Sequence, residues 1–328
     1  MRIAVTGASG FVGGAIARAA REAGHEVLAL ARRDPKLGVE FHPWDIRQPA
    51  PTSVLREGER VDAVVHTAAA VDDWVSLKLA KSVNVDGTVN VMRAFPNARF
   101  VHISSSSIYP PRRPSINIAE ESITIGPHIR YLNSYGLTKA AAEEVVRGAV
   151  QNLRLVPGAV ILRPHAIYGP GDRTLLPRIE AAVRNGNLWL PGGGRAAQNL
   201  THISNLTKAA LEAAKRSWHK IEQGVPAEKV VAINVTDSEP LILADALTEV
   251  LARRGSRVRV REIPLSAAWG IAAGLEAGAR LVRSSSAPQL TRYLVAQLGY
   301  QRTYDLRRLN NCLGIQSEPT DFSGSENW

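Results

Sequence analysis

Short apolar runs alternate with longer stretches of helical periodicity over residues 1–163 of the chain. Runs such as Ile3–Val5 and Ala63–Val65 are apolar without interruption, which is expected of parallel strands that are buried on both faces. The alternation is typical of βαβ units in a parallel sheet. The pattern predicts strands at Arg2–Thr6, Glu26–Ala31, Val39–His42, Asp62–Thr67, Arg99–Ser104 and Ala159–Arg163, and helices at Phe11–Ala23, Val75–Ala94 and Ser134–Gln151.

The second half of the chain is richer in glycine and proline loops. Two such loops, Tyr168–Asp172 and Pro191–Gly194, separate predicted helices at Leu175–Asn185 and Asn205–Lys215. A further strand is predicted at Lys229–Val235. These segments follow the sheet elements without a clear linker, which indicates a second lobe interleaved with the first.

The elements together predict an α/β fold: a Rossmann-type doubly wound parallel sheet with a smaller, interleaved C-terminal substrate-binding lobe. We assign residues 1–164 and about 200–235 to the dinucleotide-binding domain, and about 165–199 and 236–316 to the substrate-binding lobe. The polar tail, residues 317–328, is predicted to be loosely held.

The cysteine content, the net charge and the distribution of histidines bear on the cellular location and on the binding partners of the protein. The 328 residues include one cysteine, Cys312, so no intramolecular disulfide forms, and Met1 is not followed by a charged and apolar leader. Both observations predict a cytoplasmic protein. The formal net charge is +10, but the arginine pairs are scattered, and a basic balance alone does not indicate a nucleic-acid partner. We therefore expect no nucleic-acid partner. The eight histidines are dispersed, so we also expect no metal.

One long apolar stretch, Leu265–Val282, is interrupted only by Ser266, Glu276 and Arg280. It barely reaches membrane-spanning length and carries an ion pair at i, i+4, so it predicts a helix of the substrate lobe rather than a transmembrane span. Such a helix either flanks the substrate entrance or packs in the core or in a homodimer. The excess of positive charge also allows a peripheral membrane contact.

A glycine-rich loop, Thr6–Gly13, follows the first strand and precedes a helix. In this context the first glycine supplies a tight turn, the second lets the backbone approach a pyrophosphate, and the third lets the helix pack on the strand. The pyrophosphate then lies at the positive end of the helix. The predicted dinucleotide contacts in the loop are Gly7, Ser9, Gly10, Phe11, Val12 and Gly13.

The residues after the second predicted strand bear on the choice between NAD(H) and NADP(H). Dinucleotide folds often place an acid here to bond the adenosine ribose, and variants that bind NADP have basic residues instead. Ala31 is followed by Arg32 and Arg33, whose guanidinium groups can grip a phosphate bidentately. We therefore expect NADP(H) to be favoured, with NAD(H) as the alternative. Asp45 and Ile46 are candidate adenine contacts, and the alternative role of Asp45 is to cap the next turn.

Tyr135 and Lys139 are four residues apart, which places both on one face of the predicted helix. A phenol with a pKa of about 10 is a poor acid or base at neutral pH, and a neighbouring cation favours its ionised form. The preceding strand runs into Ser104–Ser107, whose hydroxyls are placed to polarise a carbonyl or carbinol oxygen. The arrangement predicts proton transfer to or from a substrate oxygen.

These motifs, with the later segment Arg163–Asp172, resemble the extended short-chain dehydrogenase/reductase family. The resemblance implies that Tyr135 exchanges a proton with the substrate oxygen, while Lys139 lowers its pKa and bonds the nicotinamide ribose. Ser105, four residues before Tyr109, is similar to the family's substrate-oxygen donor, and the neighbouring serines stay as alternatives, namely Ser104 and Ser106.

The same resemblance implies further contacts. Asn84 is similar to the family's asparagine that supports the site through its backbone, while His66 is expected to be a packed strand-end residue. The implied cofactor contacts are Thr67, Ala68, Ala69, Asn84, Pro164, His165 and Ile167. Two positions depart from the family pattern: Pro110 stands where a glycine is common, and Asn205 replaces the aspartate usual in nucleotide-sugar members.

The second half resembles the 3β-hydroxysteroid dehydrogenase branch, through Asn205, Arg173–Pro177, Ile233–Pro240 and the apolar stretch. This implies an oxidoreductase that interconverts a secondary alcohol and a ketone on an apolar, 3β-hydroxysteroid-like or β-hydroxy/β-keto acid substrate. The main alternative is a nucleotide-sugar epimerase, dehydratase or reductase, whose diphosphate would be held by basic residues such as Arg178, Arg184 and Arg195. A second alternative, a non-catalytic dinucleotide sensor, is disfavoured by the intact tyrosine and lysine.

Overall fold

The structure is a computed structural model that describes residues 1–126, 128–152, 158–223, 225 and 229–328. The strands are β1 (Arg2–Thr6), β2 (Glu26–Ala31), β3 (Glu40–Pro43), β4 (Ala63–His66), β5 (Arg99–Ile103), β6 (Ser115–Ile118), β7 (Ala159–Pro164), β8 (Ile167–Tyr168), β9 (Asn187–Pro191), β10 (Ala197–Gln198), β11 (Thr201–His202), β12 (Val230–Val235), β13 (Leu241–Ile242), β14 (Arg259–Ile263) and β15 (Arg302–Tyr304). The α-helices are α1 (Phe11–Glu22), α2 (Thr52–Gly58), α3 (Leu77–Lys81), α4 (Gly87–Ala94), α5 (Ser134–Asn152), α6 (Leu175–Ala182), α7 (Ile203–Lys215), α8 (Trp218–Glu222), α9 (Leu243–Arg253), α10 (Leu265–Leu281), α11 (Arg292–Gly299) and α12 (Arg307–Leu313).

A seven-stranded parallel sheet forms the centre of the molecule, in the order β12-β7-β5-β4-β1-β2-β3. Its apolar runs are buried on both faces. Helices α1, α7 and α12 pack on one face, and α2, α4 and α5 pack on the other. The chain reverses its direction of travel across the sheet between β1 and β4, and ligands of such sheets bind outside the strand ends at this point. The predicted Rossmann-type sheet is confirmed.

Two predicted helices differ from the structure. The helix predicted over Val75–Ala94 begins at Leu77 in the structure. The Ser76 hydroxyl caps it there by accepting a hydrogen bond from the Leu79 amide. The predicted range also contains a π-helical turn, Ser82–Asp86, between α3 and α4. The helix predicted to reach Asn185 ends at Ala182, because residues 184–187 form a tight turn in which Asn185 has a positive φ of 48°.

The small second lobe contains a four-stranded sheet, β13-β10-β15-β6, and two strand pairs, β8 with β11 and β9 with β14. The division of the chain into the two predicted domains stays a prediction. Strand β12 nonetheless returns to the central sheet, where it pairs with β7.

The expectation of a loose C-terminal tail is wrong. Phe322 is buried, with its ring centroid 5.3 Å from that of Tyr168. The Thr320 hydroxyl donates to Asp237 at 2.9 Å, and the Asp321 amide donates to the Tyr168 hydroxyl at 3.1 Å. Although the segment is polar on average, its aromatic side chains anchor it to the second lobe, including Trp328 at 5.9 Å from Tyr168.

Helix α10 corresponds to the predicted helix in the apolar stretch, and Glu276 and Arg280 form the expected i, i+4 ion pair at 3.2 Å. Only Ala268, Ala272 and Glu276 are fully buried on it. The large apolar side chains at its C-terminal end are exposed, with Leu281 at 85%. Among the helices of the described ranges, none has both the length and the apolar character needed to cross a membrane.

Candidate active site

The predicted site residues gather at the carboxyl ends of β1, β4, β5 and β7. The glycine loop follows β1, Thr67–Ala69 follow β4, Ser104–Ser107 follow β5, and His165 follows β7. Helix α5 brings Tyr135 and Lys139 to the same edge of the sheet. This edge includes the point where the strand order reverses, so the structure brings the predicted cofactor loop and the predicted catalytic residues together.

The glycine loop packs too tightly for side chains at two positions. Gly7 has a positive φ of 71°, and a Cβ there would lie 2.8 Å from the Ala68 nitrogen. A Cβ on Gly13 would lie 2.3 Å from the Gly7 oxygen and 2.6 Å from Thr67 Oγ1. Gly10 is exposed, and as N-cap of α1 it leaves the first turn without a side-chain cap. The amides of this helix end are therefore available for an anion, which fits a dinucleotide pyrophosphate.

The remaining loop residues lie where a cofactor can reach them: Ser9 is exposed, while Phe11 and Val12 are half-buried. Thr67 Oγ1 donates to the Thr6 carbonyl at 2.6 Å and ties the ends of β1 and β4 together. Ala68 and Ala69 are partly exposed beside this contact. His66 is buried between the hydroxyls of Thr6 and Thr88, at 2.7 and 3.0 Å, and burial lowers its pKa to about 3. It is a neutral packing residue.

Arg32 and Arg33 are both exposed at the end of β2, and neither forms an ion pair with another described residue. Asp45 behaves as the capping alternative predicted: it accepts from the Arg47 amide at 3.1 Å and from the Arg47 guanidinium at 3.0 Å. These hydrogen bonds lower its pKa, and the positive charge of Arg32 adds to the effect. Ile46 is buried, and its carbonyl accepts from Asn90 at 2.8 Å.

Tyr135 is half-buried in the first turn of α5, and Lys139 is fully buried one turn later. Burial raises the pKa of Tyr135, and a hydrogen bond to Ser105 opposes that shift. Lys139 Nζ donates to the carbonyl oxygen of Ile103, the last residue of β5. Burial lowers the pKa of Lys139 to about 8, against the opposing influence of Glu143. In this structure the lysine is therefore anchored to the sheet, and the phenol is held neutral beside Ser105.

Each of the four serines after β5 has a different partner. Ser104 donates to Glu143 at 2.6 Å, and Glu143 also holds Arg163 of β7, at 2.7 Å. Ser105 donates to Ser107 at 3.0 Å, and it alone of the four hydrogen bonds to Tyr135 among the described contacts. Ser106 Oγ lies 2.7 Å from His165 Nδ1. The geometry thus favours Ser105 as the partner of the candidate catalytic tyrosine.

Asn84 lies in the π-helical turn and acts through its side chain as well as its backbone. Its amide accepts from the Ala70 nitrogen at 2.8 Å and donates to Thr138 Oγ1 at 2.9 Å. Its carbonyl accepts from Thr88 at 2.7 Å. The residue therefore joins the segment after β4 to the residue next to Lys139, and π-helical turns of this kind are frequent at functional sites.

The segment after β7 is rigid and polar. Pro164 ends β7, and the buried His165 reaches Gln198 Oε1 with Nε2 at 3.0 Å. Burial lowers the pKa of His165 to about 4, so the imidazole is neutral. Ala166 adopts a positive φ of 38° before Ile167, which pairs with Thr201 in the next short strand pair.

A cavity of about 380 Å³ lies between this edge of the sheet and the second lobe. Tyr293 of α11 is among its lining residues and hydrogen bonds to Ser107 at 2.7 Å. Sequence reasoning missed Tyr293, because no motif marks it and 186 residues separate it from Ser107. Helix α10 contributes Glu276, Ala279 and Arg280 to the cavity wall.

Two large apolar residues of α10, the helix predicted either to flank the substrate entrance or to pack in the core or in a homodimer, do not line this cavity. Trp269 packs against the buried cluster of Ala268, Ala272 and Val295, and Leu275 is exposed to solvent. Within the ranges that the structure describes, no group of three or more His, Cys, Asp or Glu side chains could hold a metal ion.

A comparison with known protein families matches residues 3–224 to the NAD dependent epimerase/dehydratase family. The chain belongs to this family. With relatives that are named as reductases and dehydrogenases, this match identifies the chain as a nicotinamide-dependent dehydrogenase/reductase of the extended short-chain type.

Curated relatives are similar over most of the chain. It is 33% identical to a 2-alkyl-3-oxoalkanoate reductase of Stenotrophomonas maltophilia, over 93% of this chain and 92% of the relative. It is 29% identical to a 3-beta-hydroxysteroid dehydrogenase of Mycolicibacterium neoaurum, over 78% and 71%. Among solved structures, a UDP-glucuronic acid 4-epimerase from Bacillus cereus in complex with NAD has a TM-score of 0.72 at 19% identity, with 99% and 96% covered. That last likeness shows the fold alone.

Proposed function

We propose that this enzyme interconverts a β-hydroxy acid and a β-keto acid that carry long apolar chains, with Tyr135 as the acid/base and NADP(H) as the favoured cofactor. The observation that carries the proposal is that α5 brings Tyr135 and the Ile103-anchored Lys139 to the edge of the sheet that also holds the glycine loop. A 3β-hydroxysteroid is the other apolar secondary alcohol compatible with this site. The name of the Stenotrophomonas relative supports the β-keto acid class.

The glycine loop, Ser105 and Tyr135 have different roles in the proposed reaction. A bound nicotinamide dinucleotide supplies or accepts the hydride, and Gly7, Gly10 and Gly13 hold its pyrophosphate. Ser105 donates a hydrogen bond to the substrate oxygen and polarises it. In the direction of reduction, Tyr135 gives its proton to that oxygen, and burial favours the neutral phenol that this step requires.

Lys139 contributes a positive charge behind the tyrosine. Its anchor on the Ile103 carbonyl fixes the ammonium relative to the sheet. The charge stabilises negative charge that develops on the phenol oxygen as the proton leaves. Because the chain contributes no acid to the first turn of α1, the cofactor phosphates meet no repulsion there.

The wall of the cavity combines polar and apolar side chains. Trp74, Leu77 and Leu132 supply apolar surface. The two buried carboxylates that line the cavity are already neutralised: Asp73 faces Arg178 at 3.1 Å, and Glu276 accepts from Arg292 at 2.8 Å.

The nucleotide-sugar alternative requires free cations for a diphosphate, and the arginines considered for that role are engaged. Arg178 pairs bidentately with Asp73. Arg195 pairs bidentately with Glu262 at 2.9 and 2.6 Å. Arg184 donates to the carbonyl oxygens of Ala181 and Val183 in its own turn. An epimerase would have to break these contacts to use them.

Oxidation of a long-chain 2-alkyl-3-hydroxy acid tests the proposal, because the hydroxy acid is stable whereas the β-keto acid decarboxylates readily. The purified protein is incubated with NADP⁺ or NAD⁺, and the formation of the reduced nicotinamide is followed. We expect turnover of the hydroxy acid and none of a UDP-sugar. Conversion of a UDP-sugar, with no oxidation of hydroxy acids or 3β-hydroxysteroids, would favour the alternative.

The preference for NADP(H) rests on Arg32 and Arg33, which stand exposed at the end of β2 without a described carboxylate partner. We expect the double substitution Arg32→Ser and Arg33→Ser to weaken NADPH binding far more than NADH binding. Arg60→Ser is a matched control, since this exposed arginine lies before β4 at the opposite edge. Tighter binding of NADH than of NADPH by the unsubstituted protein would contradict the preference.

The exposed end of α10 supports a peripheral contact with an anionic membrane surface as part of this proposal. Leu281 and Val282 are 85% and 74% exposed, and Arg280 and Arg283, which flank them in the sequence, are also exposed and line the cavity. A homodimer through this face would bring these like charges together, whereas anionic lipid would attract them. We keep a cytoplasmic location, because one cysteine offers no disulfide.

Vesicle sedimentation separates these options. We expect pelleting with phosphatidylglycerol vesicles, little with phosphatidylcholine, and loss of pelleting on Leu281→Ser with Val282→Ser. Ile116→Ser is the control, because Ile116 on β6 is 65% exposed away from this helix. A concentration-dependent dimer that these serine substitutions dissociate, without vesicle binding, would assign the face to self-association instead.

A further inference from the structure

Tyr293 is held in place by the two residues that precede it. Thr291, the N-cap of α11, donates to Asp73 at 3.1 Å, and Asp73 is fixed in turn by Arg178. The Arg292 guanidinium donates to Glu276 of α10 at 2.8 Å. Two consecutive residues are thus tied to different segments. The phenol that follows them is directed at the serine turn after β5 with little freedom to move.

The Tyr293 hydroxyl continues a chain of hydroxyls that ends at the candidate catalytic tyrosine. It lies 2.7 Å from Ser107 Oγ. Ser107 Oγ accepts from Ser105 Oγ at 3.0 Å, and the Ser107 amide donates to Ser105 Oγ at 3.1 Å. Ser105 also hydrogen bonds to Tyr135. Four hydroxyls therefore form one connected network: two from the serine turn, one from α5 and one from α11.

Proton counting shows what each hydroxyl can do. A hydroxyl has one proton to donate and two lone pairs that accept. In the arrangement of this structure, Ser105 gives its proton to Ser107. To polarise a substrate oxygen, Ser105 must turn that proton toward the substrate, and Ser107 Oγ then loses a donor. A phenol that stays protonated can replace that donor.

Tyr293 meets this condition. Burial raises its pKa, the hydrogen bond with Ser107 opposes that shift, and the neighbouring Tyr135 and Asp73 raise the pKa further. The phenol is consequently neutral throughout the physiological range, as a hydrogen-bond donor rather than a base. When it donates to Ser107, the Ser107 proton is free to turn to Ser105, and successive hydroxyls in such a chain polarise one another.

We propose that Tyr293 is a positioning residue for the reaction, which donates to Ser107 and so directs the Ser105 proton to the substrate oxygen. The chain runs from Tyr293 to Ser107, from Ser107 to Ser105, and from Ser105 to the substrate. No proton leaves Tyr293, and Tyr135 remains the group that transfers one. This inference rests on the proposed function, and it makes the second lobe part of the catalytic arrangement rather than a cover for the substrate.

Turnover of Tyr293→Phe tests the proposed role. Because a net neutral hydrogen bond contributes modestly, we expect kcat to fall about three- to tenfold, with the substrate KM and the dinucleotide Kd nearly unchanged. Ser107→Ala should have a similar effect, and the double variant should be no worse than either, since both break one chain. Tyr300→Phe, just beyond the same helix, is the control and should leave kcat unchanged.

A second measurement does not depend on turnover. The absorbance of the phenolate is titrated in the protein and in its Tyr135→Phe variant, and the difference reports the pKa of Tyr135. Hydrogen bonding with Ser105 lowers this pKa. When Tyr293 donates to Ser107, the Ser105 proton is free to turn toward the Tyr135 oxygen. Tyr293→Phe removes that arrangement and holds the proton on Ser107, so the pKa of Tyr135 should rise. Tyr300→Phe should not raise it.

The outcomes separate the two proposals. An unchanged pKa of Tyr135 in Tyr293→Phe overturns the hydroxyl chain, whether or not any ketone is reduced. A raised pKa with an unchanged kcat overturns the role of Tyr293 in turnover. If Tyr293→Phe raises the pKa of Tyr135 but the unsubstituted protein oxidises neither a hydroxy acid nor a steroid, the result counts against the proposed function alone.

Discussion

The substitution Gly13→Ala probes how closely the cofactor loop is packed. Gly13 lies in α1, where alanine in place of glycine normally stabilises a helix by about 1 kcal/mol. The added Cβ would stand 2.3 Å from the Gly7 carbonyl oxygen and 2.6 Å from Thr67 Oγ1. The nearest atom belongs to the backbone, so no rotamer change relieves the contact, and the loop itself must shift.

The two effects have opposite signs. Overpacking of this kind costs about 1–3 kcal/mol, which outweighs the gain in helix propensity. We expect net destabilisation by up to about 2 kcal/mol and, because the displaced Gly7 belongs to the pyrophosphate cradle, at least about a tenfold loss of dinucleotide affinity. Gly270→Ala in α10 is the matched control, since a Cβ there meets nothing within 4 Å.

Denaturant unfolding and calorimetric titration with NADPH measure the two quantities. Gly270→Ala should be slightly more stable than the unsubstituted protein and bind NADPH equally well. If Gly13→Ala were also more stable and bound NADPH with unchanged affinity, the reasoning that close helix–strand packing shapes this site would be refuted.

Three further outcomes follow from the same geometry. Reduction should slow as the pH rises through about 8, because Lys139 then loses its positive charge, and a Lys139→Met variant should lack this limb of the kcat profile. Phe322→Ala should destabilise the protein by about 3 kcal/mol in denaturant unfolding while NADPH affinity is unchanged, whereas a loose tail would give no loss of stability. Trp269→Ser should lower thermal stability and Leu275→Ser should not, since only Trp269 is packed in a buried cluster; equal melting temperatures would contradict that placement.

The central sheet could be predicted from the sequence because parallel strands carry an unmistakable local pattern. Ile3–Val5 and Ala63–Val65 are apolar on successive residues, and both pair as expected in the sheet. The glycine loop could also be predicted, because the residues that define a dinucleotide-binding loop are close together in the sequence. Tyr135 and Lys139 are predicted as a catalytic pair for the same reason, because their spacing places them on one face of a single helix, and both lie in α5.

What the sequence left open depends on contacts between distant segments. The acceptor of Lys139 is the carbonyl of Ile103, a backbone atom that carries no sequence signature. Tyr293 reaches Ser107 only because α11 is anchored through Asp73 and Glu276. The tail was misjudged since average polarity hides single aromatic anchors such as Phe322.

The central claim is that Tyr135 supports hydride transfer between the nicotinamide and a ketone carbon. Its most direct test is reduction with NADPH in which both hydrogens on C4 of the nicotinamide are deuterium, followed by mass spectrometry of the hydroxy product. The account predicts deuterium on the carbinol carbon with the unsubstituted protein, and a rate at least about a hundredfold lower with Tyr135→Phe while NADPH binding is retained. A product without deuterium, or a Tyr135→Phe variant that keeps more than about a tenth of the rate, would contradict it.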